Sequence, residues 1–484
     1  MTGRAAARLD LGSLAHVPRL STLARGDVRP GVVHLGLGAF ARAHTAVVTE
    51  RAMARSGDPS WGLVGSSQRS RQVVDQLAPQ DGLFSVLERG AGAAAPAVVS
   101  SVLAVLDGTA QAEEVSEAVA AAETGVVTLT VTEKGYTSTA QRTLDRSNPA
   151  VAADLLGRPP VTTIGRLCAA LARRRAQDGG PITVVSCDNL PENGDLTRRL
   201  VTEFAAATDH ALLRWVEESV RFPSTMVDRI VPATTGADLA DAARALGVED
   251  HGATVAEPFL QWVVQDDFAG ARPPWDAGGA VLTDDVAPWE AVKLRLLNAS
   301  HTLLALLGRL GGAATIAESL EQPGSRRAAR SLMDEAISVL DVPDGLDVHA
   351  YRDSVLVRFA NPALRHTTAK VAADTSQKLG PRVLPTVRAL RAGGAPARWS
   401  ALALAAWVRL LVTDPPGTDG DPLAARLAEA LATAGDPVRA VLSVQEVFGA
   451  DLADDGDLVR GVRTWYRDLE RFGTSALRAE PDHD

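Results

Sequence analysis

GVVHLGLGAFARAHTAVVTERAMARSG, residues 31–57, decides the fold. Val32 to Leu35 form a short β-rich run, a glycine turn follows, and the rest reads as a helix. The turn, Gly36-x-Gly38-x-x-Ala41 with Ala39 and Phe40 in between, fits a dinucleotide-binding fingerprint with alanine in the third position. The first glycine permits the tight turn and the second lets the backbone approach a pyrophosphate. The helix beyond supplies N–H donors and a positive dipole. The bland alternative is a plain tight turn. Its place between strand and helix favours the fingerprint.

Downstream the alternation continues. WGLVGSS (61–67) predicts a second strand, LFSVLERG and AVVSSVLAVLD two more apolar runs, and VVTLTVT (126–132) a buried strand running into Glu133-Lys134. Open α/β sheets carry ligands at the C-terminal ends of their strands, which makes Glu133 and Lys134 cofactor-side candidates; as solvated loop charges they would do nothing. The second strand ends in Ser66-Ser67-Gln68-Arg69, without the acid that commonly holds a ribose 2′-hydroxyl. Arg69 or Arg71 is placed to face a 2′-phosphate, or both are solvated helix residues. The choice between NAD and NADP stays open on these residues. PITVVS (181–186) breaks into Cys187-Asp188-Asn189-Leu190-Pro191-Glu192-Asn193-Gly194. Two of the chain's five asparagines fall there, and Asn189 is a candidate to polarise a carbonyl or hold a hydroxyl. FPSTMVDRIVPATT (222–235) embeds Asp228-Arg229 in apolar residues, a pattern more common for a structural ion pair. Residues 1–30 read as a loosely structured lead-in.

From about residue 286 the strands stop and helix follows helix, broken at Gly/Pro-rich stretches. The expected domains are 1–285, α/β, and 286–484, mostly α-helical. The second opens with WEAVKLRLLNASHTLLALLG (289–308). As a helix this stretch must be buried nearly all round, yet it carries Lys293, Asn298 and His301. At 100° per residue the three project from one side. A buried lysine is costly unless paired or neutral. Only four of the 49 basic residues are lysines: Lys134, Lys293, Lys370 and Lys378. Where arginine has replaced most lysines, the survivors are enriched for positions that need an exchangeable proton, which guanidinium cannot give up. Residues 361–385 concentrate Arg365, His366, Lys370, Lys378 and Arg382, a candidate anion-recognising cluster.

Composition narrows the function classes. A hydrophobic content of 46% and a charged content of 22% are those of a globular protein. Net charge −10 argues against nucleic-acid or anionic-membrane partners. No apolar leader or long apolar run is evident, so a cytoplasmic location is expected. Two cysteines, Cys168 and Cys187, cannot by themselves build a zinc site, and no metal is expected.

Six stretches in order, HLGLGAFARAH, TLTVTEKGY, SCDNLPENG, FPSTMVDRIVP, EPFLQWVVQDDF and KLRLLNASHT, resemble the polyol-specific long-chain dehydrogenases/reductases, the mannitol dehydrogenase family. The resemblance covers roughly residues 30 to 480. It implies a Rossmann-type dinucleotide-binding N-terminal domain, a helical substrate domain and hydride transfer between NAD(P) and a sugar acid or polyol. By similarity Lys293 is the general base, Asn189 and Asn298 hold the oxyanion, His301 orients substrate, Glu290 relays the proton and Asp228 lies near substrate. FPSTMVDRIVP, PWEAVKLRLLN and the 361–379 stretch look closer to fructuronate reductases than to mannitol 2-dehydrogenases. A uronate carries a carboxylate, which Arg365, His366 and Lys378 are candidates to bind. Ala299 departs from a commoner glycine at that position. Short-chain dehydrogenases use Tyr-x-x-x-Lys, and no tyrosine here has a lysine four residues on. The remaining reading is a dinucleotide-binding protein without turnover, against which the joint presence of Lys293, Asn189, Asn298 and His301 speaks. A monomer or small homo-oligomer is expected.

Overall fold

A computed structural model describes residues 7–68, 70–415 and 420–479; Arg69 lies outside the described residues. The chain divides into two compact units, Met1–Val286 and Ala287–Asp484.

The first unit is built on strands β1 (Pro30–Leu35), β2 (Gly62–Ser66), β3 (Phe84–Glu88), β4 (Ala97–Val99), β5 (Val102–Leu106), β6 (Val126–Leu129), β7 (Ile182–Ser186), β8 (Val220–Arg221), β9 (Thr225–Asp228), β10 (Thr254–Ala256), β11 (Gln261–Gln265) and β12 (Val281–Thr283). Six of them form one sheet in the order β5-β2-β1-β6-β7-β8, every pair parallel. This is the doubly wound Rossmann order, in which the strand sequence reverses at β1 and β6. Alternate residues feed two cores: Val32, Val126 and Val185 pack into one face, Val33, Val127 and Val184 into the other. A parallel sheet covered on both faces explains why these strands read as unbroken apolar runs. Two smaller sheets, β10-β3-β4 and β12-β11-β9, complete the unit.

Two readings change here. The lead-in is anchored: Leu9, Leu14 and Val17 fill a small core with Leu83, Val98 and Leu246, and Leu9 N donates to Glu249 O at 2.8 Å. The helix after the glycine turn is two helices, Ala39–Ala43 and Thr45–Ser56. The chain bends at His44, whose ring stacks on Phe40 with centroids 4.8 Å apart and whose Nε2 meets the Gln261 carbonyl at 3.0 Å.

Among its described residues the second unit has helices joined by turns and no strand. Its core is centred on the helices Ala299–Gly311, Arg398–Thr413 and Gly456–Phe472, with Leu303, Leu306 and Leu307 fully buried. The 289–308 stretch is not one α-helix. It runs as an α-helix Ala287–Val292, a π-helix Lys293–Asn298 and an α-helix Ala299–Gly311. Hydrogen bonds from i to i+5 put more residues in each turn than an α-helix has, so an angular reckoning at 100° per residue does not hold across it. Among the described residues no helix is long and apolar enough to cross a membrane. Cys168 and Cys187 are free and buried.

Candidate active site

In the first unit the strand order reverses around the glycine turn. Gly36 N and Leu37 N both donate to the Ser66 carbonyl at the end of β2, at 3.0 and 2.9 Å. Gly36 adopts φ 95°, and a Cβ there would stand 2.3 Å from the Thr130 carbonyl oxygen, so only glycine fits. Gly38 differs: a Cβ there would meet nothing closer than Gly36 O at 3.7 Å. It lines a groove of about 600 Å³ together with Ala39, Arg42, Gln68, Thr130 and Thr235. Ala41 is fully buried beneath this surface and Phe40 is half-buried.

The groove suits a dinucleotide. The bare backbone at Gly38 leaves room for close approach, and the buried Nε of Arg42 has no hydrogen-bond partner among the described residues. Burial lowers the Arg42 pKa to about 10, and the group remains a cation at neutral pH. Sequence reasoning passed over Arg42, although its place directly after the fingerprint was the available signal. It also passed over Thr234, Thr235 and Gly236, which line the groove at a capped helix start. At the end of β2, Ser67 and Gln68 line the groove, while Arg71 is exposed and paired with Asp75 at 3.0 Å.

The ends of β6 and β7 are tied together by one buried carboxylate. Asp188 accepts from Val131 N and Thr132 N, both at 2.9 Å, and from the Tyr136 hydroxyl at 2.8 Å. Burial raises its pKa while these donors hold it down. Glu133 and Lys134 are exposed on the 3₁₀ turn Glu133–Tyr136 that this network supports. Asn189, next in sequence to Asp188, is exposed at the C-terminal end of the sheet. Asn193 is a structural residue: its amide donates to Asp188 O and Thr225 O, each at 3.0 Å, and accepts from Thr225 N. Asp228 is buried at the end of β9. Its neighbour Arg229 is the structural ion-pair member, but its partner is Glu88 at 2.7 Å rather than the adjacent aspartate. In a strand, successive side chains point to opposite faces.

In the second unit Lys293 opens the π-helix and Asn298 closes it, each 7% exposed, with Glu290 half-buried one turn earlier. Two buried side-chain nitrogens, Asn298 Nδ2 and His301 Nε2, have no hydrogen-bond partner among the described residues. Buried polar atoms are normally satisfied, so such a pair, three residues apart across the junction of the π-helix and the α-helix, marks a place for a polar ligand. His301 stacks on Phe359, centroids 5.0 Å apart and planes at 19°, and its ring lies 5.3 Å from that of His366. His366 is placed by its backbone: Ile316 N donates to its carbonyl, and Thr368 N donates to Ala314 O, both at 2.9 Å. Burial, then the repulsion a proton on His366 would exert, then the charges of Arg382, Lys378 and Arg358 hold the His301 pKa well below 6.5. Burial, Lys370 and Arg358 lower that of His366. Both rings are therefore neutral at physiological pH, in cationic surroundings. Of the other cluster members, Arg365 is exposed on a left-handed turn residue (φ 48°). Among the described residues no group of three or more His, Cys, Asp or Glu is arranged to hold a metal ion.

Residues 30–277 match the family model of the mannitol dehydrogenase Rossmann domain, and residues 285–470 match that of the mannitol dehydrogenase C-terminal domain. The chain belongs to the mannitol dehydrogenase family. It is a nicotinamide-dependent secondary-alcohol oxidoreductase. The D-mannonate oxidoreductase of Escherichia coli K12 is 40% identical over 90% of this chain and 93% of that protein. An oxidoreductase of the same strain, YeiQ, is also 40% identical, over 95% of each chain. The fold matches that of Pseudomonas fluorescens mannitol 2-dehydrogenase, solved with NAD and D-mannitol, with a TM-score of 0.82 and 32% identity over 97% of this chain and 98% of that one.

Proposed function

We propose that this member of the family interconverts D-mannonate and D-fructuronate with NAD as cofactor, using Lys293 as a metal-independent general base. The observation that carries the reading is the electrostatic setting of His301 and His366. The charges acting on them in the second unit come from Arg382, Lys378, Arg358 and Lys370. A sugar acid has a carboxylate to match such surroundings; a polyol does not. Identity of 40% to a D-mannonate oxidoreductase supports the same substrate class.

In the oxidative direction Lys293 takes the proton from the carbinol oxygen. Asn189 and Asn298 donate to that oxygen as it gains charge. The unpartnered donor of Asn298 fits this role. His301 is neutral and orients the substrate by hydrogen bonding rather than by charge, held flat against Phe359. Glu290, one turn before Lys293, passes the proton onward. Asp228, Arg365 and His366 form the remaining substrate-side set; Lys378, whose donors end on the Val371 and Ala373 carbonyls and on Asp374, acts on it through its charge. NAD, when bound, accepts the hydride. Gly36, Gly38, Ala39, Phe40 and Ala41 would hold it, with Glu133 and Lys134 at the strand ends. NADP is the alternative cofactor, because Ser66, Ser67 and Gln68 offer no carboxylate to a ribose hydroxyl. We place the enzyme in the cytoplasm as a monomer or small homo-oligomer, with no nucleic-acid or membrane partner.

A mannitol 2-dehydrogenase activity is the second reading, favoured by the likeness to the mannitol-bound fold. Initial rates of reduced-cofactor oxidation with fructuronate, tagaturonate, fructose and xylulose, each against NADH and NADPH, separate the two. Preference for fructuronate by at least about tenfold in kcat/KM supports the sugar-acid reading, since that ratio reports differential transition-state binding. Preference for fructose overturns it.

A further inference from the structure

The cations near His301 are not equivalent. Lys378 Nζ donates to the carbonyls of Val371 at 2.9 Å and Ala373 at 2.7 Å, and pairs with Asp374 at 2.5 Å. An ammonium has three donors, and all three are taken within its own stretch. Arg365 is exposed to solvent. Arg382 stands apart from both. It is half-buried, and its Nη1 donates to the Thr302 hydroxyl at 3.0 Å. That hydroxyl donates in turn to the Asn298 carbonyl at 2.9 Å. The guanidinium is thereby anchored to the residue next to His301, on the helix that begins immediately after Asn298.

Among the described residues Arg382 forms no ion pair, and the acid whose charge reaches it, Asp374, is already engaged by Lys378. A purely structural arginine at the end of the helix Thr375–Arg382 would bond the carbonyls of its last turn, and this one instead reaches across to Thr302. Arg382 is half-buried and only its Nη1 is engaged among the described residues, which leaves the rest of the guanidinium fork for an incoming anion. The planar guanidinium is also the side chain best matched to a carboxylate, which it grips through two parallel N–H donors.

We propose that Arg382, anchored on Thr302 beside His301, recognises the substrate carboxylate and sets the preference for a sugar acid over a neutral ketose. The inference rests on the sugar-acid reading above and names the residue that produces it. Lys378 then shapes the 371–378 turn, and its charge adds to the burial that keeps His301 neutral.

The test is the ratio of kcat/KM for fructuronate to kcat/KM for fructose, measured with NADH on the wild-type enzyme and on Arg382→Gln, Arg382→Lys and Thr302→Val. Loss of a charge-assisted two-point contact predicts that Arg382→Gln lowers the ratio by about 30- to 100-fold, mostly through KM for fructuronate. Arg382→Lys keeps the charge but loses the fork, and lowers the ratio by about tenfold. Thr302→Val frees the anchor and lowers it by a smaller factor, which covers the case in which Arg382→Gln does not fold. Equal losses on both substrates in the soluble variants, leaving the ratio unchanged, overturn the inference while a wild-type preference for fructuronate leaves the sugar-acid reading standing. A wild-type enzyme that turns over no sugar acid removes both.

Discussion

Gly36 and Thr130 stand back to back where the strand order reverses: the Thr130 hydroxyl donates to the Gly36 carbonyl at 2.7 Å, and a Cβ on Gly36 would lie 2.3 Å from the Thr130 carbonyl oxygen. The two glycines of the fingerprint therefore fail differently when substituted. Gly36→Ala meets backbone and a positive φ together, and is expected to destabilise the first unit by about 3 kcal/mol or more. Gly38→Ala meets no clash; it should fold normally and lose about tenfold or more in dinucleotide affinity. Thermal melts and titration of NADH fluorescence distinguish the two. A Gly38→Ala protein that binds NADH as wild type does would remove the groove assignment.

The same Thr130 supports a pH-dependent element. His34 is fully buried, with Nδ1 2.7 Å from Thr128 Oγ1 and Nε2 2.9 Å from Thr130 Oγ1, and burial lowers its pKa to about 4. Unfolded, the ring titrates near 6.5 and binds a proton that the folded protein refuses. Stability from this group is complete above about pH 6.5 and is lost as pH falls towards 4, by about 3 kcal/mol in all. Melting temperatures of wild type and His34→Gln across that interval should converge as the pH drops. Parallel curves would show that His34 is not the group responsible.

Asp188 links the cofactor groove to Asn189. Its two backbone contacts hold Thr132 at φ 65°, a conformation a β-branched residue rarely adopts. Asp188→Asn removes half of that acceptor capacity, and is expected to weaken NADH binding by about tenfold and lower kcat as well, because Asn189 loses its fixed neighbour. Tyr136→Phe removes one donor and should cost about 1 kcal/mol of stability with a smaller kinetic effect. Equal effects of the two substitutions on NADH affinity would contradict this ordering.

The parts of the fold that follow from periodicity were legible in the sequence. Runs such as VVTLTVT read as buried parallel strands because both faces are covered, and the loss of alternation after residue 286 announced the helical half. What escaped was set by backbone geometry. The π-helix Lys293–Asn298 carries no side-chain signature, so the phase between Lys293, Asn298 and His301 does not follow from the residue spacing. Leu9, Leu14 and Val17 showed no period and gave no sign of meeting Leu83, Val98 and Leu246. Within the 361–385 cluster, charge alone could not separate Lys378, whose donors end on local carbonyls, from Arg382, whose donors do not.

The central claim is that Lys293 takes and returns the carbinol proton, and chemical rescue of Lys293→Ala tests it most directly. The variant should lose about 10³-fold in kcat for the preferred substrate, within the range general-base catalysis supplies. Small primary amines added to the assay should restore part of that rate in a saturable way. A Lys293→Ala enzyme that keeps its turnover within about threefold of wild type, or one that amines leave unchanged while guanidine restores it, would contradict the account.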